Sequence, residues 1–118
     1  MKRLYRALLL ALGLAAFLGT PPVSLADQIP VEKSNSGTWS VEFDNQHFRV
    51  VSTATVKVRF EQVAPNQIRL RIYSETGAQG KVSVYWVEFQ KYLYNGPIPS
   101  SMEPWEGTLN TEGGFVDR

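Results

Sequence analysis

Residues 48–60 have the sequence FRVVSTATVKVRF, in which the even positions are apolar or small and most odd positions are polar. This period of two predicts a β-strand with one buried face, and no glycine or proline interrupts it. A strand of about eighteen residues would extend about 60 Å at about 3.3 Å per residue. A globular domain of this size is only about 30 Å across. We therefore predict that the strand bends strongly near Ser52 to Ala54.

The residues before this strand predict a β-hairpin. Residues 39–43 (WSVEF) alternate in the same way, and residues 44–47 (DNQH) have the composition of a turn. A four-residue loop would place apolar residues opposite apolar ones and Glu42 opposite Arg49, which makes the pairing self-consistent.

A third strand follows the turn at residues 64–67 (APNQ), because residues 68–72 (IRLRI) again alternate. A three-residue loop would place Glu61 opposite Arg71, whereas a five-residue loop would place Arg59 opposite Arg71. Opposite charges stabilise a cross-strand pair and like charges destabilise it. We therefore predict the three-residue loop.

The segment 81–89 (KVSVYWVEF) follows a glycine-bearing turn and is apolar on both faces. This pattern is typical of a central strand that is covered on both sides. A helix over residues 82–94 is the alternative, because the apolar residues also fit helical spacing and Asn95-Gly96-Pro97 could end a helix. β-Branched and aromatic residues favour the strand, while the choice from Gln90 onwards stays open.

These segments together predict an all-β fold, a small antiparallel barrel or sandwich of four to five strands in meander order. We assign residues 27–37 to a polar N-terminal arm, 38–94 to the β domain and 95–118 to a glycine- and proline-rich C-terminal segment. That last segment is mainly loop, with a short edge strand at 107–110 or 115–116.

The N-terminus has the three-part order of a secretory signal peptide. A basic stretch at residues 2–6 precedes an uncharged apolar run at 7–18, and small residues then lead to a cleavage site after Ala26. The apolar run is about a dozen residues long, whereas a membrane span needs roughly twenty. An uncleaved anchor is the alternative, and the prolines at 21–22 argue against it. We predict that residues 1–26 are removed and that the protein is periplasmic or secreted.

Composition narrows the possible functions of the remaining domain. The predicted signal peptide carries three of the twelve basic residues, so nine basic residues face eleven acidic ones. This balance gives no global electrostatic reason to bind nucleic acid or an anionic membrane. The chain has no cysteine, so its core must depend on aromatic and β-branched packing rather than on disulfides.

Few residue types that support catalysis are present. His47 is the only histidine and lies in the predicted first turn, and no Gly-x-Ser-x-Gly motif occurs. Glu42, Asp44 and His47 lack the spacing of zinc or calcium ligands. We therefore expect no catalytic residues, no metal site and no cofactor.

Two groups of residues are candidate binding sites. Exposed aromatic rings can stack on sugars or anchor a protein partner, and prolines stiffen an extended loop that a partner could grip. The alternatives are a core role for the rings and a plain connecting loop. The candidate binding residues are Tyr92, Tyr94, Trp105, Pro97, Ile98 and Pro99. A basic stripe that could bind an anion, or form a solvated face neutralised by nearby acids, consists of Lys57, Arg59, Arg69 and Arg71.

The sequence therefore favours an exported, non-catalytic β domain that serves as a protein-interaction or accessory module of the cell envelope or extracellular space. A carbohydrate-binding module that uses the exposed aromatics is one alternative. An inhibitor of a secreted hydrolase that uses the proline loop is another. An open edge strand would also permit pairing with a second copy, and the sequence leaves the oligomeric state open.

Overall fold

The computed structural model describes residues 29–117, so the predicted signal peptide lies outside the described residues. This part of the chain is all-β and contains no helix, which excludes the helical alternative for residues 82–94. No helix within it is long and apolar enough to cross a bilayer. The strands are β1 (Val31–Phe43), β2 (Gln46–Ala64), β3 (Gln67–Tyr73), β4 (Lys81–Trp86), β5 (Lys91–Pro97), β6 (Trp105–Asn110) and β7 (Gly114–Asp117).

The seven strands form one curled antiparallel sheet with β2 at its centre. β1 lies along one edge of β2, while β4 and β3 share the other edge, with β5 beyond β4 and β6 and β7 beyond β3. The prediction of four to five strands in meander order is wrong on both counts. β4 pairs with β2 instead of β3, because β2 is long enough to accept two partners along one edge. Two further strands, β6 and β7, come from the segment expected to be mainly loop.

The two partners of β2 mark the position of its bend. Residues 48–52 pair with β4, and residues 57–64 pair with β3. Between them, β1 shows a register shift from Asn35 to Gly37, where β2 carries extra residues. At the same place the hydroxyl of Ser52 donates a hydrogen bond to the carbonyl of Ala54. The predicted bend near Ser52 to Ala54 is confirmed.

The first hairpin has a tighter turn than predicted. Asp44-Asn45 forms a two-residue turn, with φ angles of 53° and 61°, and Glu42 pairs with His47 rather than Arg49. Both turn residues adopt the left-handed conformation typical of a type I′ turn, which Asp and Asn tolerate and whose twist matches that of the strands. The four-residue loop is therefore wrong; Val41 now lies opposite Phe48, while Phe43 lies opposite Gln46.

The second hairpin adopts the register that the charge argument disfavoured. The turn is Pro65-Asn66, a register shift lies between Gln62 and Ala64, and Arg59 pairs with Arg71. Arg59 and Arg71 can lie opposite each other because each is also close to a carboxylate. Glu106, for example, lies 2.5 Å from Arg71. The predicted three-residue loop is wrong. The turn itself has two residues, and the register shift at the end of β2 accommodates one further residue.

The core lies on the concave face of the curled sheet. Its largest fully buried side chains include Trp86, Phe48 and Phe60, and the Phe48 ring touches both of the others, at centroid distances of 6.1 and 4.4 Å. The buried apolar residues are Val41, Phe43, Phe48, Val50, Val56, Val58, Phe60, Ile68, Leu70, Ile72, Val82, Val84, Trp86, Leu93 and Leu109.

Candidate functional site

The bend in β2 divides the sheet into two halves. The first half consists of residues 37–43 of β1, residues 46–52 of β2, β4 and β5. The second half consists of residues 31–35 of β1, residues 56–64 of β2, β3, β6 and β7. Each half turns one face to the core and the other, outer face to solvent, and the candidate residues are distributed over these faces.

The structure separates the three aromatics predicted to form one platform. Tyr92 lies on the outer face of the first half and is 54% exposed. Tyr94 lies on the core side, partly buried, with its ring 5.2 Å from that of Trp105. Because Tyr94 is in β5 and Trp105 in β6, this contact joins distant parts of the curled sheet. Tyr94 and Trp105 therefore support the fold, and only Tyr92 is well exposed.

A register shift in β5 explains why Tyr92 and Tyr94 face opposite ways. Residues two apart in a regular strand share a face. In β5, however, Tyr92 pairs with Tyr85 and Tyr94 pairs with the adjacent Val84, so Leu93 is an extra residue between them. Leu93 turns into the core, with 5% of its surface exposed.

Tyr92 belongs to an exposed patch that the sequence pattern did not reveal. Arg49, Tyr85 and Tyr92 are successive partners across β2, β4 and β5. The two tyrosine rings meet edge to face with centroids 4.9 Å apart, and the Arg49 guanidinium lies 4.9 Å from the Tyr85 centroid. Val51 and Val87, on the same face, are 42% and 44% exposed. We call these five residues the tyrosine patch.

A shallow depression of about 200 Å³ adjoins the tyrosine patch. It is lined by Val51, Thr53, Lys81, Val82, Ser83 and Asn95. The Thr53 hydroxyl accepts a hydrogen bond of 2.9 Å from the Lys81 backbone N–H. The close approach needs a glycine at position 80, where a Cβ atom would lie 2.2 Å from the Thr53 oxygen. The depression thus combines hydroxyl, amide and ammonium groups with two valines.

The predicted basic stripe lies on the outer face of the second half, where acids accompany every cation. Lys57 Nζ lies 2.8 Å from Glu75, and this hydrogen bond raises the pKa of Lys57. Arg71 lies 2.5 Å from Glu106. Arg69 and Arg59 lie 3.3 and 3.9 Å from Glu61 respectively. The four cations share one face, and nearby carboxylates largely neutralise their charge; anion binding there stays a prediction.

Lys81, which lines the depression, and Arg49, in the adjoining tyrosine patch, differ from the cations of the stripe. Among residues 29–114, whose side chains the structure describes, no carboxylate oxygen lies within 4.0 Å of the charged nitrogens of Arg49 or Lys81. Both side chains are exposed. The outer face of the first half therefore carries two cations without a carboxylate partner.

His47 lies at the opposite end of this face, where it connects the β1–β2 hairpin to the β4–β5 hairpin. Its Nδ1 forms a hydrogen bond with the Glu88 carboxylate, its backbone N–H donates to Glu88 Oε1 at 2.8 Å, and its Nε2 lies 3.8 Å from Glu42. The hydrogen bond to Glu88 raises the pKa of His47. Partial burial acts to raise the pKa of Glu88, but hydrogen bonds from His47 outweigh it and lower that pKa.

The His47 cluster fits a structural role better than a catalytic one. Both ring nitrogens face carboxylates, and the backbone N–H of Val87 donates to the His47 carbonyl at 2.9 Å, so the histidine fastens β2 to the end of β4. In the part of the chain that the structure describes, no group of three or more metal-ligating side chains could hold a metal ion.

The predicted proline loop, residues 97–99, is attached to the domain along its length. The Tyr94 hydroxyl donates to the Pro97 carbonyl at 2.5 Å, and the Ile98 backbone N–H donates to Gly80 at 3.0 Å. The Pro99 carbonyl accepts from the Ser74 N–H at 2.9 Å, and the Ile98 side chain packs against the core. Of Pro97, Ile98 and Pro99 only Pro97 is exposed, and the other two are partly buried. The role of an inhibitor loop stays a prediction that this attachment does not favour.

Comparison with known proteins gives no match for this chain. No family model matches it, and neither a curated protein nor a solved structure is significantly similar. Its candidate sites are those that its own geometry provides.

Proposed function

We propose that this protein is exported and that its β domain is a non-catalytic binding module, which contacts another protein of the envelope or extracellular space through the tyrosine patch. The observation that carries this proposal is the clustering of exposed apolar side chains. Val51, Val87 and Tyr92 lie on one face, and they are three of the five large hydrophobic residues that are exposed in the described chain. Exposed apolar patches of this kind mark interaction sites more often than scattered single residues do.

The composition of the patch also supports a protein partner. Tyrosine and arginine are enriched among the residues that contribute most to protein–protein binding. Here Tyr85 is held between Arg49 and Tyr92, on three hydrogen-bonded strands. A ring that is already positioned loses little conformational entropy on binding. The patch is therefore organised before a partner arrives.

The N-terminal sequence supports export. Residues 1–26 combine a basic stretch, an uncharged apolar run and a small-residue cleavage site, in the order that the secretion machinery recognises. We propose a periplasmic or secreted location and a partner in the same compartment.

Site-specific photo-crosslinking tests the proposed contact. A benzophenone amino acid would replace Tyr92 in the full-length chain, expressed in the cells that make it. A matched variant would carry the same group at Tyr73, which is on the outer face of the second half. We expect one protein to be cross-linked from position 92 and not from position 73, and Tyr92→Ala to lose this protein in pull-downs without lowering the melting temperature. Identical products from both positions, or none, would reject the proposal.

A carbohydrate-binding module is the second candidate, and the depression beside the patch is the observation that favours it. Its Ser83 and Asn95 side chains could hydrogen-bond a sugar whose apolar face lies on Tyr92. Calorimetric titration with neutral oligosaccharides separates this function from protein binding. Saturable heat that Tyr92→Ala abolishes would support it, whereas Tyr94→Ala should change stability and leave the affinity unchanged.

A further inference from the structure

We infer that the protein that contacts the tyrosine patch presents an acidic side chain, which enters the depression that Lys81 lines, with Arg49 in the adjoining tyrosine patch. This inference rests on the proposed function, because it specifies the chemistry of the partner at the same surface. The proposed ligand group is the carboxylate of an Asp or Glu residue within a protein segment of the partner.

The first support is the contrast in charge pairing between the two outer faces. On the second half, the cations of the basic stripe lie within 4 Å of acids of the same chain. On the first half, Arg49 and Lys81 have no such carboxylate among the side chains of residues 29–114. Charges across a protein interface are arranged to complement each other. The missing negative charge is therefore expected from the partner.

The acids that share the face with the tyrosine patch are already occupied. Glu88 and Glu42 lie on either side of the imidazole of His47, at the far end of the face. Hydrogen bonds from His47 lower the pKa of Glu88, so this carboxylate stays charged and engaged at neutral pH. The intramolecular acids thus leave the end near Lys81 positive.

The lining of the depression suits an acidic side chain. Its volume of about 200 Å³ is large enough to admit one. Within the described chain, the Ser83 hydroxyl and the Asn95 amide form no side-chain hydrogen bond, so both remain able to donate to a carboxylate. Val51, 42% exposed, offers an apolar surface to the methylene groups of a glutamate.

Selection from a random peptide library displayed on phage tests this inference with a defined probe. The immobilised mature protein should enrich peptides in which Asp or Glu neighbours apolar residues. For a selected peptide, the double variant Arg49→Ala/Lys81→Ala should weaken binding about tenfold or more. The matched control Lys57→Ala/Arg59→Ala removes the same charges from the second half and should change affinity less than twofold. Binding of the unsubstituted protein should weaken with added salt, because salt screens exposed charges.

The outcomes separate the inference from the function on which it rests. If the enriched peptides lack acids, or if both double variants bind alike, while Tyr92→Ala abolishes binding, the acidic partner is rejected and the protein-binding function stands. If Tyr92→Ala leaves peptide binding intact, the proposed contact surface is wrong. If no peptide is enriched and polygalacturonate binds in an Arg49-dependent manner, the ligand is an acidic glycan, and both proposals fail.

Discussion

The rings of Phe48 and Phe60 have centroids 4.4 Å apart although both residues belong to β2. The twelve residue steps between them would span about 40 Å in a straight strand. The contact is possible only because β2 bends sharply, so that its two halves face each other across the core. A single strand therefore connects the outer face that carries the tyrosine patch with the outer face that carries the basic stripe.

The contact between Phe48 and Phe60 should contribute strongly to stability. Phe60 is fully buried, and replacement of a buried Phe by Ala typically costs about 3–5 kcal/mol. We expect Phe60→Ala to lower the free energy of unfolding by an amount in this range, measured by urea denaturation. Met102→Ala is the control, because Met102 is 90% exposed and should change stability by less than about 0.5 kcal/mol. Equal effects of the two substitutions would contradict the packing described for the bend.

The turn at Asp44-Asn45 predicts opposite effects for two substitutions at one position. Asn45 has a φ angle of 61°, a conformation that costs most residues about 1–2 kcal/mol and that glycine adopts freely. Asn45→Gly should preserve or slightly raise the midpoint of urea denaturation, whereas Asn45→Val should lower it. If Asn45→Val were neutral, the two-residue turn and the register that follows from it would be wrong.

The contact between Trp105 and Gly107 predicts that an added methyl group at position 107 lowers stability, while the same addition at position 113 does not. A Cβ atom at position 107 would lie 2.6 Å from the Trp105 indole, while at position 113 it would meet no atom within 4 Å. Gly107→Ala should therefore destabilise the domain by about 1–3 kcal/mol, since the ring must move from its packed position. It should also change the tryptophan emission spectrum. Gly113→Ala, the matched control, should leave both the stability and the spectrum close to those of the unsubstituted protein.

The pair formed by His47 and Glu88 predicts how stability depends on pH. The pKa of His47 is raised from 6.5, so its contribution is fully present below pH 6.5 and is lost as the pH rises through the folded-state value. The pKa of Glu88 is lowered from 4.5, so its contribution is present above pH 4.5 and is lost as the pH falls through its folded-state value. The pair should stabilise the domain most between about pH 4.5 and 6.5.

Glu88→Gln tests this pH dependence. The variant should shift the NMR-measured pKa of His47 down towards 6.5, because it removes the largest cause of the rise. The difference in denaturation midpoint between the unsubstituted protein and the variant should be larger at pH 5.5 than at pH 8.5. Glu42→Gln, at a carboxylate 3.8 Å from the ring, should shift the pKa less. A difference in midpoint that does not change with pH would mean that the pair contributes through packing alone.

The amino-acid sequence by itself determined the strand character of the chain. The alternation at residues 39–43, 48–60 and 68–72 predicted strands that the structure contains. Successive side chains of a strand point to opposite faces, so a strand with one buried face shows apolar and polar residues in alternation. The bend in β2 also followed from the sequence, since an unbroken alternating segment cannot stay straight when its extended length exceeds the diameter of the domain. The shared face of the basic stripe followed from the same period.

Only the tertiary structure decided the strand order, the hairpin registers and the tyrosine patch. Shifting a register by two residues keeps every side chain on its face, so the apolar pattern could not distinguish the predicted pairings from the observed ones. The single extra residue Leu93 reverses the faces of Tyr92 and Tyr94, and no periodic signal marks it. The patch combines residues from β2, β4 and β5, which become neighbours only because β4 pairs with the first half of β2. Non-local pairing thus determined the surface that the proposed function requires.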